Sequence, residues 1–378
     1  MTEQPKTTLL LTGDIAPQED DLRSLLQGDA ASLVGQELLA HFREADFIVG
    51  NLETVLANRN TPILKSGRAL RVPSAAVKGL QALGFTAVNL ANNHIFDHGA
   101  SGLKCTLDAL DGAEIAHFGA GMDPVSAGQP WIGGGKDFQI GILGCCEHEF
   151  SVNPHGATAN GLDWRMLIPA IEDLREKCDL LIVLYHGGKE YRELPSPEEQ
   201  KNCRFLIERG VDAVVCQHSH TVGAVEHWEK GVIFYGQGNF LFSMPNPMSK
   251  QGFILQFEVY GHRQWRYNMI PFERKEIGIR PLSNDEKRIW EEKQVTWTTM
   301  AASSDVVKKE WDEFCKKKQD LYLSILHGGG FLYAAFWRRT GLLKFLYPPS
   351  FAAIVRNFFM CETHREVAES ILNHLMKK

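Results

Sequence analysis

Thr86-Ala-Val-Asn-Leu-Ala-Asn-Asn-His94 carries the reading of the fold, because an apolar run of strand length ends abruptly in two amides and an imidazole. The same construction recurs along the chain. Thr8–Thr12 ends in Gly13-Asp14, Phe47–Asn51 leads to Glu53, Leu180–Tyr185 ends in His186-Gly187-Gly188, and Ala213–Cys216 ends in Gln217-His218-Ser219-His220. Further runs at Gln139–Leu143 and Val232–Tyr235 complete the set, and helix-period segments at Pro73–Leu83, Ser101–Leu110, Ile168–Lys177 and Ser196–Arg209 lie between them. Pro73 and Ser196 are helix openers, and Gly84 and Gly210 stand where left-handed caps belong. Strands alternating with helices, and apolar on both faces, predict a layered α/β fold of sheets flanked by helices.

From about residue 231 the rhythm changes. Val232–Phe242, Gly252–Tyr260 and Gln264–Phe272 read as successive strands of an antiparallel meander. Beyond Pro281 the chain turns helical and charged. The expected division is therefore an α/β domain over residues 1–280 and an appended C-terminal helical region over 281–378.

Composition narrows the function. Of 378 residues, 44% are hydrophobic and 23% charged, enough apolar material for a sizeable core. The net charge of -6 offers no basic field for nucleic acid. No run of about 18 apolar residues predicts a spanning helix, and the three-leucine run near Met1 is too short for a secretory signal. A cytoplasmic protein is expected, peripheral at the inner membrane face at most. The 8 cysteines include no C-x-x-C pair, which points to reduced thiols rather than a thiolate zinc site.

In an open α/β sheet the ligand site lies beyond the carboxyl ends of the strands, so the five polar corners should meet at one rim. Taken singly, an Asp after a strand is also a helix N-cap, and His218 with His220 could be a surface turn. Taken together, carboxylate, amide and imidazole without Cys form a ligand set for Mn, Fe, Ni or Zn in a catalytic role.

In order, Gly13-Asp14, Asn51-Leu-Glu53, Leu90-Ala-Asn-Asn-His94 with Asp97-His-Gly99, His186-Gly-Gly-Lys-Glu190-Tyr191, His218-Ser-His220 and Gly238-Asn239-Phe240 resemble the motifs of capsule synthesis CapA-like domains. That family is similar to a branch of the calcineurin-like metallophosphoesterases. The resemblance spans roughly residues 7–245 and implies a metallophosphatase-like fold. It implies Asp14, Glu53, Asn93, His186, His218 and His220 as ligands of one or two divalent ions. It implies His94 as the group that protonates or steadies a leaving group, with Asp97 positioned to orient it. Glu190, Tyr191 and Asn239 follow as substrate-side residues, and Lys65 and Arg71 lie in a basic loop suited to an anionic group.

Two positions depart from the pattern. Ala16 stands where metallophosphoesterases carry a histidine, which puts a full binuclear centre in question. Gly187 replaces a tryptophan, a change expected to widen the pocket.

Three functions remain open on these residues. One is a metal-dependent hydrolase of a phosphoester or amide bond, linked to capsule or poly-γ-glutamate-type polymer biosynthesis. Another is metal-independent acid/base chemistry such as peptide epimerisation. The last is a non-catalytic partner of a membrane-associated polymer synthase. The substrate would be an anionic polymer, a peptide or a phosphoester. The aromatic, basic stretch 331–347 reads either as a membrane-interface segment or as a helical cover on the domain, and its Gly and Pro breaks favour the cover.

Overall fold

A computed structural model describes residues 5–135, 138–326, 339–340 and 348–376. Two sheets pack face to face. The first contains β1 (Thr7–Ile15), β2 (Phe47–Leu52), β3 (Ala87–Asn89) and β4 (Ala116–Phe118), all parallel. The second is centred on β5 (Gln139–Cys146), β6 (Leu180–His186), β7 (Ala213–Gln217) and β8 (Gly231–Phe234), also parallel. A short strand, β9 (Asn239–Leu241), runs parallel to the end of β1 and pairs Asp14 with Asn239. The antiparallel meander β10 (Gln251–Gly261), β11 (Gln264–Arg274) and β12 (Ile279–Pro281) extends the first sheet from the edge of β1 opposite β2, the edge that β9 also joins.

The strand period of two sorts the side chains into layers. Leu9 and Leu11 of β1 point between the sheets, where they meet Leu180, Ile182 and Leu184 of β6. Leu10 and Ile15 point the other way, into a cluster with Leu33, Leu38 and Phe42 of the helix Ala30–Glu44. On the far side, Leu181, Val183 and Tyr185 pack under the helices Trp164–Lys177 and Pro197–Glu208. The result is a helix–sheet–sheet–helix sandwich, the layered α/β architecture of sheets flanked by helices expected from the sequence. Each fully buried leucine of these layers contributes roughly 1.5–3 kcal/mol.

Most expected elements are present, with differences that have physical reasons. The Pro73 segment opens with a 3-10 turn at Ser74–Ala76 before the helix Val77–Ala82. Val232–Phe242 is two strands rather than one, because Gly236 and Gly238 interrupt it and Gly238 has φ 77°. Helices at Glu19–Gln27 and Ala30–Glu44, and an edge strand at Trp131–Gly134, were not anticipated. Gly133-Gly134-Gly135 lies in the corner of the hairpin that this strand makes with β5.

The sheet ends at Pro281 and helices begin at Asn284. Trp290 of the helix Asn284–Ala301 inserts into the inter-sheet cluster, and Ala301 joins the cluster under the outer helices. The helices Ser304–Leu326, Pro349–Met360 and Glu362–Met376 share a small core of Trp311, Cys315, Tyr322, Phe358, Val367 and Ile371. Among the described residues no helix is long and apolar enough to cross a membrane. Apart from Arg339 and Thr340, the stretch 331–347 lies outside the described residues.

Candidate functional site

The ends of β1, β2, β3, β6 and β7 converge. Asp14 accepts a hydrogen bond from Asn51 Nδ2 at 2.7 Å and another from the His218 backbone N–H at 3.1 Å. His220 Nδ1 lies 3.6 Å from Asp14 Oδ2 and 2.9 Å from Asn239 Oδ1. Gly13 makes this convergence possible, because a Cβ there would lie 1.9 Å from the Gly238 carbonyl oxygen. Side chains at either loop would drive Asp14 and Asn239 apart.

Glu53 is the centre of the cluster. It is fully buried, and neither carboxylate oxygen has a hydrogen-bond partner among the described residues. His186 Nε2 and His94 Nε2 stand 3.6 Å and 3.9 Å from its Oε1. His218 Nδ1 is likewise buried without a partner. A buried polar atom without a partner carries a cost of about 1–3 kcal/mol, and more for a charged group. The donors fall into two overlapping groups, Asp14 with Glu53 and His186, and Glu53 with His218 and His220, with the ligand atoms of each group within 4.8 Å of one another. Unpartnered nitrogen and oxygen atoms meeting at one point fit a divalent ion, and Glu53 belongs to both groups. His218 and His220 adopt φ 89° and 55°, backbone strain for non-glycine residues concentrated at the site.

Electrostatics follow from burial. Burial, reinforced by the carboxylates of Asp14 and Glu190, pushes the Glu53 pKa well above the usual range. Burial acts the same way on Asp14, but the imidazoles of His220 and His186 and the Asn51 amide outweigh it and bring its pKa down to about 2. Burial and the neighbouring His218 hold His186 well below its ordinary value. His220 moves the other way, since its contact with Asp14 overcomes burial.

His94 and Asp97 form a second unit beside the first. Asp97 Oδ2 lies 2.6 Å from His94 Nδ1 and accepts from the Leu70 N–H at 2.6 Å, while Oδ1 accepts from Lys65 Nζ at 2.5 Å. Lys65 is itself buried and lies over the Phe150 ring. Burial and then the Lys65 ammonium lower the His94 pKa. Burial raises the Asp97 pKa, but His94 and Lys65 overcome it and the net direction is down.

Asn93 links the site to a further acid. Its Oδ1 lies 3.1 Å from His186 Nε2, and its Nδ2 donates to Glu149 Oε2 at 2.9 Å. Tyr191, with φ 59°, has its ring centroid 6.1 Å from that of His220, and Glu190 beside it acts electrostatically on Glu53. Arg71 turns away from the cluster, its guanidinium donating to the carbonyls of Ala57 and Asn58. Ala16 is buried, and its backbone N–H bonds the Leu241 carbonyl, so no side-chain ligand stands there. The space beside Gly187 is filled by neighbours, since a Cβ there would lie 2.7 Å from Glu147 and 2.9 Å from Tyr185.

Sequence reasoning missed several supporting groups. Asn51, which bonds both Asp14 and His186 Nδ1, is itself held by Asn89 and Asn92. These amides sat in the quoted motifs, but only their partners were assigned roles. Glu147 and Glu149 follow the end of β5 just as the other site residues follow their strands, so the same positional signal would have found them. Cys145 and Cys146 are buried, and His148 pairs with Glu362 at 2.6 Å rather than with the cluster. Nothing in the sequence announced that the C-terminal helix would reach this rim. Glu147 accepts from the Thr363 hydroxyl at 2.7 Å and the Cys361 thiol at 3.2 Å.

The sequence model of the family described as "Bacterial capsule synthesis protein PGA_cap" matches residues 8–244. The capsule biosynthesis protein CapA of Bacillus anthracis is 24% identical over 306 residues, covering 76% of this chain and 73% of that protein. The PGA biosynthesis protein CapA of Bacillus subtilis is 26% identical over 249 residues, covering 65% and 66%. Among solved structures, a hypothetical protein from Thermus thermophilus aligns over 71% of this chain and 100% of its own, with 17% identity and a TM-score of 0.46, a likeness too loose to bear on chemistry.

Proposed function

The chain belongs to the bacterial capsule synthesis protein PGA_cap family, and from that premise we propose that it is a metal-dependent hydrolase of a phosphoester or amide bond serving capsule or poly-γ-glutamate-type polymer biosynthesis. The observation that carries this reading is Glu53, a fully buried carboxylate with both oxygens unpartnered, ringed by Asp14, His186, His218 and His220. Asp14, Glu53, Asn93, His186, His218 and His220 would hold one or two ions of the Mn, Fe, Ni or Zn kind. Such an ion supplies an acidified water and stabilises negative charge developing on the scissile group.

The remaining work falls to the protein. Asp97 fixes the His94 ring through Nδ1 and turns Nε2 toward Glu53. Held so, His94 is placed to give its proton to a leaving oxygen or nitrogen. Lys65 and burial lower its pKa, which makes the protonated ring a readier acid. Tyr191 and Glu190 border the histidines and would contact the substrate, an anionic polymer, a peptide or a phosphoester, whereas Asn239, fully buried and bonded to His220 and the Phe242 carbonyl, would steady His220 instead. Lys65 neutralises Asp97 and so acts through His94 rather than as a free anion clamp.

Metal content of protein purified without chelator, measured by inductively coupled plasma mass spectrometry beside His218→Ala, tests the reading. One or two equivalents lost in the variant support it, and a phosphoester and amide substrate screen follows. A zero that persists after metal is added sinks it. Ala16 favours a second reading, a non-catalytic partner of a membrane-associated polymer synthase, because it removes a side-chain ligand. Metal retention without turnover on any such substrate would favour that alternative.

A further inference from the structure

We propose that Glu149, Cys361 and His364 form a separate site for a zinc-class cation that fastens the C-terminal helix pair to the rim of the main cluster. One carboxylate oxygen, the thiol sulfur and one imidazole nitrogen lie within 4.8 Å of one another. They come from the loop after β5 and from the start of the helix Glu362–Met376, segments more than 200 residues apart in sequence. A mixed sulfur, nitrogen and oxygen set suits zinc better than magnesium or calcium, which take oxygen ligands alone.

Each of the three groups is also oriented by a neighbour. Asn93 Nδ2 holds Glu149 Oε2 at 2.9 Å, the Tyr322 hydroxyl lies 2.7 Å from His364 Nδ1, and Glu147 Oε2 lies 3.2 Å from Cys361 Sγ. The Tyr322 contact occupies Nδ1 and leaves Nε2 as the ligand nitrogen. Outer partners of this kind fix ring tautomers and aim ligands, as around known metal sites. On binding, the Cys361 thiol would lose its proton to solvent, and with it the hydrogen bond to Glu147, leaving thiolate, imidazole and the Glu149 carboxylate as the protein ligands. Asn93 also contacts His186, so the ion would couple the helix pair to the main cluster through one amide.

The site contains a thiolate and the main cluster does not, which makes the two separable. Full-length protein stripped of metal is titrated with Co²⁺ and followed by absorption. A thiolate-to-cobalt charge-transfer band is expected to grow to saturation, to survive His218→Ala and to vanish in Cys361→Ser. Serine keeps a donor toward Glu147, so the helix contact is retained. His364→Gln should weaken the cobalt affinity by more than about 10-fold. A missing band, a band that survives Cys361→Ser, or unchanged affinity in His364→Gln would overturn the proposal. None of these results would touch the main cluster, whose own failure is read from metal content that His218→Ala leaves unchanged in a Cys361→Ser background.

Discussion

His186 Nε2 lies 3.6 Å from Glu53 Oε1, and neither oxygen of Glu53 has a hydrogen bond. A carboxylate this deep without a partner is costly in the empty protein, and it becomes useful only when a cation neutralises it. Function and stability therefore oppose each other at this residue.

Glu53→Gln makes that opposition measurable. The amide has the same shape without the charge that Asp14 and Glu190 repel. Metal-free Glu53→Gln should be more stable than metal-free wild type by on the order of 1 kcal/mol in denaturant unfolding at pH 8. It should at the same time lose most of the bound metal. A variant that is both less stable and fully metal-loaded would remove Glu53 from the proposed metal ligands.

His94 and His218 should separate cleanly. His94→Ala is expected to keep its metal while turnover falls by roughly 10²–10⁴-fold. His218→Ala should lose the metal of the main cluster and turnover together. The reverse pattern in metal analysis and rate would show that the two roles are misassigned.

Lys65→Met removes the cation that lowers the His94 pKa. The His94 pKa should therefore rise, and the limb of the rate profile that depends on protonated His94 should move to higher pH. The buried Asp97 also loses its ion pair, so a destabilisation of about 3 kcal/mol is expected. A pH–rate profile that stays in place would remove Lys65 from the His94 unit.

Glu366 sets a pH dependence on the C-terminal helix. Its carboxylate accepts from the Ser196 hydroxyl and from the Glu198 N–H at 3.0 Å, and burial is the main cause that raises its pKa from 4.5 to about 7. The folded pKa lies above the unfolded one, so the folded state holds the proton more tightly. Its contribution is complete below pH 4.5 and is lost as pH rises through about 7, on the order of 3 kcal/mol in all. Glu366→Gln should leave the melting temperature at pH 4 nearly unchanged and raise it at pH 8. Equal shifts at both values would show that the carboxyl does not titrate in this range.

How much of this was legible follows from range. Asp14, Glu53, Asn93, His94, His186, His218 and His220 could be selected because each ends or follows an apolar run of strand length, and parallel strands bring such ends to one edge. Asn51 and Asn92 were visible but carried no assignment, because an amide that only orients others has no signature of its own. Arg71 sat in a basic loop, yet its direction toward the Ala57 and Asn58 carbonyls depends on how that loop turns.

The sequence by itself determined the alternation of strands and helices, the two-faced burial of β1 and β6, and the polar chemistry at their ends, because hydrophobic period and chain punctuation are local properties. Tertiary structure alone decided that Glu53 has no partner, that Lys65 serves Asp97, and that Cys361 and His364 arrive beside Glu149. Those facts depend on which side chains are excluded from water and on contacts across hundreds of residues, and no local pattern encodes either.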